Sequence, residues 1–450
     1  MIEKKLIGWE SQKGNWLLVI LSLYTCTYFV YRDLGISNIL GWFFSIFLVC
    51  FVFITRSQWK IKLTINKKTW LVLIGFIAVS FLRPSSRRDG DEVFYVVAIA
   101  SATLYVLLCN ASYSEIKLCR KFYKTISFIL GSLILFFRVF PSIYWKTIYR
   151  FLAASPRQLA AYYVPRGYGI PVGGSLTLAD YIMMLALITT FNEIVSGVAK
   201  KEKIKNAVLV LFYLLAILAE GRRGELLACV FAMFFIFMIS RSKKDFMLKA
   251  GIILLVLLIL YLSFNALLAA FGDNELLYRY TASIQGAEKG QDVTSGRSAL
   301  WEEAIRLFRE NPIFGVGFGG FANSISSSFR AIHGEDVMDV HNCFLQFLCE
   351  TGIVGTVIMT SALIVIFVNT LRTISKNKRN EINNKVSNEI VKIGQTSIGI
   401  QTFLLFVCML DPAFYKPIFW AFYGIAVILS DYAQSMSKSN NALLSKINEF

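Results

Sequence analysis

Residues 352–370 read GIVGTVIMTSALIVIFVNT, nineteen positions without a charged side chain. At 1.5 Å per residue, a helix of about this length crosses the roughly 30 Å hydrocarbon core of a bilayer. Comparable apolar blocks recur outward from it in both directions, roughly 15 to 22 residues long and divided by short charged segments. They fall at 16–31, 39–54, 70–82, 93–110, 126–140, 175–195, 207–221, 224–240, 250–270, 352–370, 396–410 and 418–430. The pattern predicts an all-α polytopic membrane protein of about twelve transmembrane helices. The third block is the weakest, because a less apolar break interrupts it and Arg83-Pro84 follows it.

Composition excludes a soluble globule. Hydrophobic residues make up 56% of the 450, charged residues only 17%, and the mean hydropathy is +0.58. Such a chain could not stay in water without large exposed apolar patches. The first block, Trp16 to Val30, has basic residues before it and no small-residue cleavage site after it, so it reads as a retained signal anchor. The eight cysteines form no CxxC pair and sit mainly inside apolar blocks (Cys26, Cys50, Cys109, Cys229, Cys408). They are read as packing residues, with no metal site or disulfide framework implied.

The net charge of +17 would suit nucleic acid, but its placement favours a membrane reading. With a cytoplasmic N-terminus, the segments expected inside hold 28 of the 46 basic residues, which places both termini in the cytoplasm by the positive-inside rule. No nucleic-acid partner is expected. Residue type separates more sharply than number, since 23 of 26 lysines lie inside whereas 15 of 20 arginines lie at or near the outer side. Lysine is a hydrated point charge. Arginine offers a rigid fork of donors that matches phosphate or carboxylate oxygens. An arginine-rich outer face points to a phosphate-bearing or acidic ligand; the plainer reading pairs these arginines with acids such as Asp89, Asp91 and Glu92, or with lipid headgroups.

The expected organisation is 1–271 with transmembrane helices 1–9, a large periplasmic loop at 272–340, and 341–450 with a periplasmic helix and transmembrane helices 10–12. Most outer connections are short, but Phe140 to Gly174 runs about 35 residues and Gly272 to Val340 nearly 70, long enough to imply function. Within the second, VTSGRSALWEEAIRLFRENPIFGVG at 293–317 predicts an amphipathic helix. Thr294 or Ser295 can cap it, and Asn311-Pro312 ends it. Arg297 lies in its first turn, where the helix dipole already favours an anion over a cation, so the residue asks for an anionic ligand or a pairing with an acid such as Glu302. The glycines at 315, 317, 319 and 320 follow the helix instead of opening one.

The loop closes on Asp339-Val340-His341-Asn342. His341 is one of two histidines, and imidazole is the side chain best suited to take a proton from a hydroxyl near neutral pH; Asp339 or Asn342 could orient it. His333, in a polar stretch, is read as solvated. A third segment, AEGRRGELLA at 219–228, holds Arg222 and Arg223 at the outer boundary, either toward a polar cavity or paired with Glu220 and Glu225. There is no P-loop, no GxGxxG after a strand, no HExxH and no acidic pair of a metal-dependent transferase.

Together these segments resemble the O-antigen ligase and O-antigen polymerase family of bacterial envelope glycosyltransferases. The resemblance lies in Glu220-Gly221-Arg222-Arg223-Gly224, in Thr294-Ser295-Gly296-Arg297-Ser298 with Trp301 and Asn311-Pro312-Ile313-Phe314-Gly315-Val316-Gly317, and in His341-Asn342 with Leu345-Gln346 and Glu350-Thr351-Gly352-Ile353-Val354-Gly355. It covers about 205–370. It implies a type-C glycosyltransferase-like fold with a long helical periplasmic loop in the bacterial inner membrane, working without metal, cofactor or nucleotide sugar. The donor would be a glycan on undecaprenyl diphosphate, and the acceptor a lipid-linked repeat unit or lipid A-core, with a chain-length regulator as a further partner. Arg223 and Arg297 would contact the diphosphate, with Arg222 and Asn342 as further binding residues, and His341 would activate or position the acceptor hydroxyl. The doubled arginine and Glu225 depart from the family pattern. A polymerase for O-antigen or capsule is the leading expectation, a ligase the runner-up. A transporter of the same glycans would call for midplane charges and an internal repeat, neither of which the sequence displays.

Overall fold

The computed structural model describes residues 14–33, 50, 51, 54, 63–81, 90–152, 154–164, 178–196, 199–220, 223–240, 297–329, 339–378 and 385–448. Every regular element among them is a helix. Ten of the twelve expected spans fall on helices, while 39–54 lies almost wholly and 250–270 wholly outside the described residues. Three of these helices, Tyr113–Val139, Cys343–Lys378 and Val386–Cys408, are long and apolar enough to cross a membrane. Helices suit that setting because they satisfy every backbone polar group internally. The chain divides into two compact units.

The first unit comprises Met1–Tyr31, Ser37–Tyr123 and Arg297–Phe450. Its described helices are α1 (Leu17–Asp33) as far as Tyr31, α2 (Ile65–Phe81), α3 (Gly90–Leu108), the start of α4 (Tyr113–Val139), α11 (Arg297–Glu310), α12 (Phe321–Ser324), α13 (Cys343–Lys378), α14 (Lys385–Cys408) and α15 (Pro417–Asn448). α14 packs between α13 and α15, α2 lies on α13, and α3 lies on α15. The third expected span is one unbroken helix, α2, that starts earlier and takes in Lys67 and Lys68. Lys67 is tolerated there because its Nζ donates to the carbonyls of Leu107 (2.9 Å) and Cys109 (3.0 Å), which α3 leaves unpaired at its C-terminus. α4 opens on a reciprocal cap: the Ser112 amide donates to Glu115 (2.8 Å) and the Glu115 amide to Ser112 Oγ (3.2 Å).

Polar side chains bind these helices across apolar faces. Asn66 Nδ2 donates to Ser430 Oγ (2.9 Å), Asn369 Nδ2 to Asn66 Oδ1 (3.1 Å), and Asn377 Nδ2 to Ser437 Oγ (2.7 Å). Trp70 stacks on Tyr423 with ring centroids 5.9 Å apart. α13 is bent at Gly352, whose φ of 66° is left-handed, so the nine residues from Cys343 to Thr351 form a separate short helix ahead of the apolar run.

The second unit comprises Arg32–Ile36 and Lys124–Gly296. Here α8 (Leu178–Val195) packs against α9 (Lys200–Ala219) and α10 (Arg223–Ser240). Lys124 pairs with Glu193 at 2.7 Å, and Asn206 donates to the same carboxylate at 3.1 Å. The long connection after Phe140 is helical in its first part, as α5 (Pro141–Lys146), α6 (Ile148–Phe151) and α7 (Ala154–Tyr163). An aromatic run favours this compaction: Trp145 packs edge-on to Tyr149 with centroids 4.7 Å apart. Arg157 donates to the carbonyls of Arg150 and Leu152 (2.8 and 3.0 Å), so this arginine, expected on the outer side, serves the loop itself.

Candidate functional site

The bend at Gly352 leaves backbone donors and acceptors without helical partners, and the segment after α11 takes them up. The amides of Val316 and Gly317 donate to the carbonyls of Cys349 (3.0 Å) and Glu350 (2.8 Å), and the amide of Ile353 returns a bond to Pro312 (2.9 Å). Gly315, Gly317 and Gly319 all adopt positive φ. A Cβ on Gly315 would lie 2.3 Å from the Glu350 carbonyl carbon, and one on Gly352 2.3 Å from the Ile313 oxygen. Glycine is needed at both, for conformation and for close approach. The glycine run is thus a clip that fastens α11 to the start of α13.

Glu350 completes the clip. Fully buried, its carboxyl accepts from the amides of Gly319 (2.7 Å) and Phe321 (3.2 Å), from Gln346 Nε2 (3.2 Å) and from the Tyr415 hydroxyl. Below it α11 is tied by Glu303, which accepts two bonds from Arg306 (2.9 and 2.7 Å) and one from the Ser326 amide (2.9 Å). The Arg306 guanidinium holds the Glu303 carboxyl below the ordinary glutamate range. Arg306 is therefore a second arginine, of those expected on the outer side, with a structural partner.

With the clip closed, three pieces of the first unit converge. Arg297, the first residue of α11, donates through Nη1 to the Leu410 carbonyl (2.8 Å) and not to Glu302. His341 precedes α13 with a φ of 54°, an uncommon backbone state for a non-glycine residue. The turn between α14 and α15 brings Asp411, with an Oδ1 4.0 Å from His341 Nδ1, and Lys416, which is ion-paired to Asp411 Oδ2. Cys343 fastens this turn, its thiol donating to the Asp411 carbonyl (3.0 Å) and accepting from the Phe414 amide (3.2 Å).

The imidazole is divided between two environments. Nδ1 is buried and has no hydrogen-bond partner, yet the side chain as a whole is 43% exposed, so the exposure falls on the rest of the ring. Burial, then the Arg297 charge, hold its pKa below the ordinary histidine value, against the pull of Asp411 and Asp339. Burial raises the Asp339 carboxyl, whose Oδ1 accepts from Gln346 Nε2 (3.4 Å). A neutral imidazole with one open edge can accept a proton, and the cations beside it can hold an anion.

Asn342, expected among the binding residues, caps α13: its Oδ1 accepts from the amides of Phe344 (3.0 Å) and Leu345 (3.1 Å). Arg223 is the first residue of α10 in the second unit; Arg222 lies outside the described residues, as do His333 and the cap candidates Thr294 and Ser295. Glu220 and Glu225 beside the arginines are buried. Of the cysteines named from sequence, Cys109, Cys229 and Cys408 are buried, and Cys50 is exposed. Sequence reasoning missed Asp411 and Lys416, although Lys416 was one of three lysines outside the inner segments.

These features define a helical membrane protein with a charged, hydrogen-bonded cluster where a broken helix begins its apolar run. Residues 208–360 match the family model described as O-antigen ligase, over nearly the stretch on which the sequence resemblance rested. The chain is also similar to the exopolysaccharide production protein ExoQ of Rhizobium meliloti (strain 1021), 28% identical over 102 residues, 21% of this chain. The match spans 23% of that relative's length. Both matches support the resemblance to the O-antigen ligase and O-antigen polymerase family.

Proposed function

We propose that the protein is a polymerase that joins undecaprenyl-diphosphate-linked oligosaccharide repeat units into O-antigen or capsular polysaccharide on the periplasmic face of the inner membrane. The observation that carries this reading is the grouping of Arg297, His341, Asp411 and Lys416 around one half-open imidazole. A soluble-protein role is excluded by composition, and twelve spans with both termini cytoplasmic would put this cluster on the periplasmic side.

In the proposed reaction an acceptor sugar hydroxyl attacks the anomeric carbon of the donor, and its proton passes to the open edge of His341. The bond from that carbon to the diphosphate oxygen breaks, the electron pair leaves with undecaprenyl diphosphate, and the configuration inverts. Negative charge gathers on the diphosphate as the bond lengthens. A guanidinium fixed beforehand, as Arg297 is by the Leu410 carbonyl, stabilises that charge without reorganising. Arg222 and Arg223 are assigned diphosphate contacts on the family resemblance alone. Catalysis of this kind works through positioning and preset charge, and none of its steps is assigned to a metal.

A ligase that hands the finished chain to lipid A-core shares the donor and the site, and differs in acceptor. Replacing His341 or Arg297 by alanine and resolving surface polysaccharide on a gel separates the readings. Loss of the ladder with single repeat units still attached to core is the polymerase result. Loss of all attachment while lipid-linked polymer accumulates identifies a ligase, and normal long chains at wild-type protein level overturn both. A transporter would instead leave lipid-linked repeats stranded on the cytoplasmic side.

A further inference from the structure

His341 sits in a backbone state that has to be held. Its φ of 54° lies in the left-handed region, which strains any side chain bearing a Cβ and persists only where the surroundings over-determine it. Both peptide neighbours of His341 are fixed by the start of α13. On one side Asn342 caps the helix through the amides of Phe344 and Leu345, and its carbonyl accepts from the Gln346 amide (2.9 Å). On the other side Val340, a fully buried residue, donates its amide to Gln346 Oε1 (3.2 Å).

The side-chain amide of Gln346 has one orientation open to it. A backbone N–H can only donate, so the atom that meets Val340 is the oxygen. The nitrogen then faces two carboxylates, Asp339 Oδ1 (3.4 Å) and Glu350 Oε1 (3.2 Å), one for each of its protons. The side chain is buried, so losing it would leave its partners unsatisfied instead of hydrated. Glu350 is the carboxyl that completes the clip, through the amides of Gly319 and Phe321. Gln346 thus joins the clip to the two residues that lead into His341.

We propose that Gln346 is a positioning residue for His341: by tying Asp339 and Val340 to Glu350, it holds the left-handed turn that aims the imidazole. The proposal rests on His341 being the base of the reaction above. It adds that closing the clip and setting the base are one event, because the same side-chain amide serves both.

The chain contains a single Val-His pair, Val340-His341. Full-length protein in lipid nanodiscs, labelled with 13C at valine carbonyls and 15N at histidine, therefore gives one signal from the peptide that joins them. Gln346→Met keeps the bulk and removes both ends of the amide. The signal should leave its wild-type position, and long-chain polysaccharide should fall roughly 100-fold at wild-type protein level, the scale of a misplaced reacting group. Gln346→Asn, polar but one methylene short of Val340, should do the same and stands in if Gln346→Met does not accumulate.

A second readout separates positioning from support of the fold alone. With residue 341 held left-handed, His341→Gly should unfold in detergent at a higher temperature than His341→Ala, since only glycine is unstrained there. In the Gln346→Met background that advantage should vanish, because the backbone has relaxed. A turn held by Asn342 alone would keep glycine ahead in both backgrounds, and that outcome overturns the proposal. So does an unmoved Val340-His341 signal, or a moved signal with normal long chains. The signal and the unfolding order need no turnover, so their failure leaves the base assignment standing. An active His341→Ala variant would instead remove that assignment with both readouts still as expected.

Discussion

The two ends of α13 solve the same problem in opposite ways. At the Ser437 end, helices run unbroken and are joined by neutral side chains: Asn369 to Asn66, Thr370 to Ser430 and Asn377 to Ser437, all at 2.7 to 3.1 Å. At the Gly352 end the helix breaks, three glycines of the facing segment turn left-handed, and Arg297, His341, Asp411, Lys416 and Glu350 crowd together. Neutral amides and hydroxyls can bridge apolar helices without stranding a charge. Charged groups need more donors and acceptors than regular helices release, and the broken backbone supplies them. The contrast teaches that in this unit one end is built to hold, while the other gathers the charges on which the proposed function rests.

The largest effects should come from breaking the charged end at the two groups to which the proposed function gives the chemistry. His341→Ala removes the proposed proton acceptor, and loss of general-base catalysis is expected to lower transfer by about 10²- to 10⁴-fold. Arg297→Ala should cost on the order of 10²- to 10³-fold, the range for losing one preset donor to a developing anion. Both are read as loss of long-chain polysaccharide with protein level checked by immunoblot. Transfer above a tenth of wild type in either variant would mean that the cluster is not where the chemistry occurs. The acid side of the pH profile is a sharper probe. Burial and Arg297 disfavour the imidazolium, so His341 should stay a base at pH values where an ordinary histidine is already protonated. Activity should therefore hold as pH falls through 6.5 and decline only below it.

The clip comes next in size. Gly315→Ala and Gly352→Ala each push a methyl against backbone at 2.3 Å and strain a positive φ, so both should lower the yield of folded protein and the midpoint of thermal unfolding in detergent. Gly75 in α2 is the matched control, since a Cβ there meets nothing within 4 Å. Gly75→Ala should be neutral or stabilising by up to about 1 kcal/mol, the usual helix-interior gain. Equal behaviour of all three variants would show that the glycine run is a spacer and not a clip.

Much of the holding end was legible in the sequence, because a helix in lipid leaves a local signature: an apolar run of sufficient length, ended by charge. Position 352 begins such a run, and the helix indeed changes direction there. The charged end was legible only in part. Arg297 and His341 stood out by residue type, one misplaced for its helix dipole and one of a pair in the whole chain. Asp411 and Lys416 did not, because they reach the site from a turn seventy residues further on, and only packing brings them to His341. Asn342 could be read as a ligand as easily as a cap, since both uses ask for the same side-chain oxygen. The glycines after Asn311 were seen to follow a helix, but their purpose depends on a break in another helix that no local pattern announces.

The smallest effect is expected at the holding end, and its size decides whether the contrast is real. Asn369→Leu removes the 3.1 Å bond to Asn66 and replaces a buried amide by an apolar group of similar bulk. Double-mutant measurements on interhelical hydrogen bonds in membranes average about 0.6 kcal/mol, because the separated helices also find partners. Asn369→Leu should thus shift unfolding slightly and leave polysaccharide length unchanged. Its double-mutant cycle with Asn66→Leu should give a coupling of the same small size, measured by thermal unfolding of the purified protein in detergent. A coupling of several kcal/mol, or loss of polymer in the single variant, would mean that the neutral network participates in function and that the division between the two ends of α13 is drawn in the wrong place.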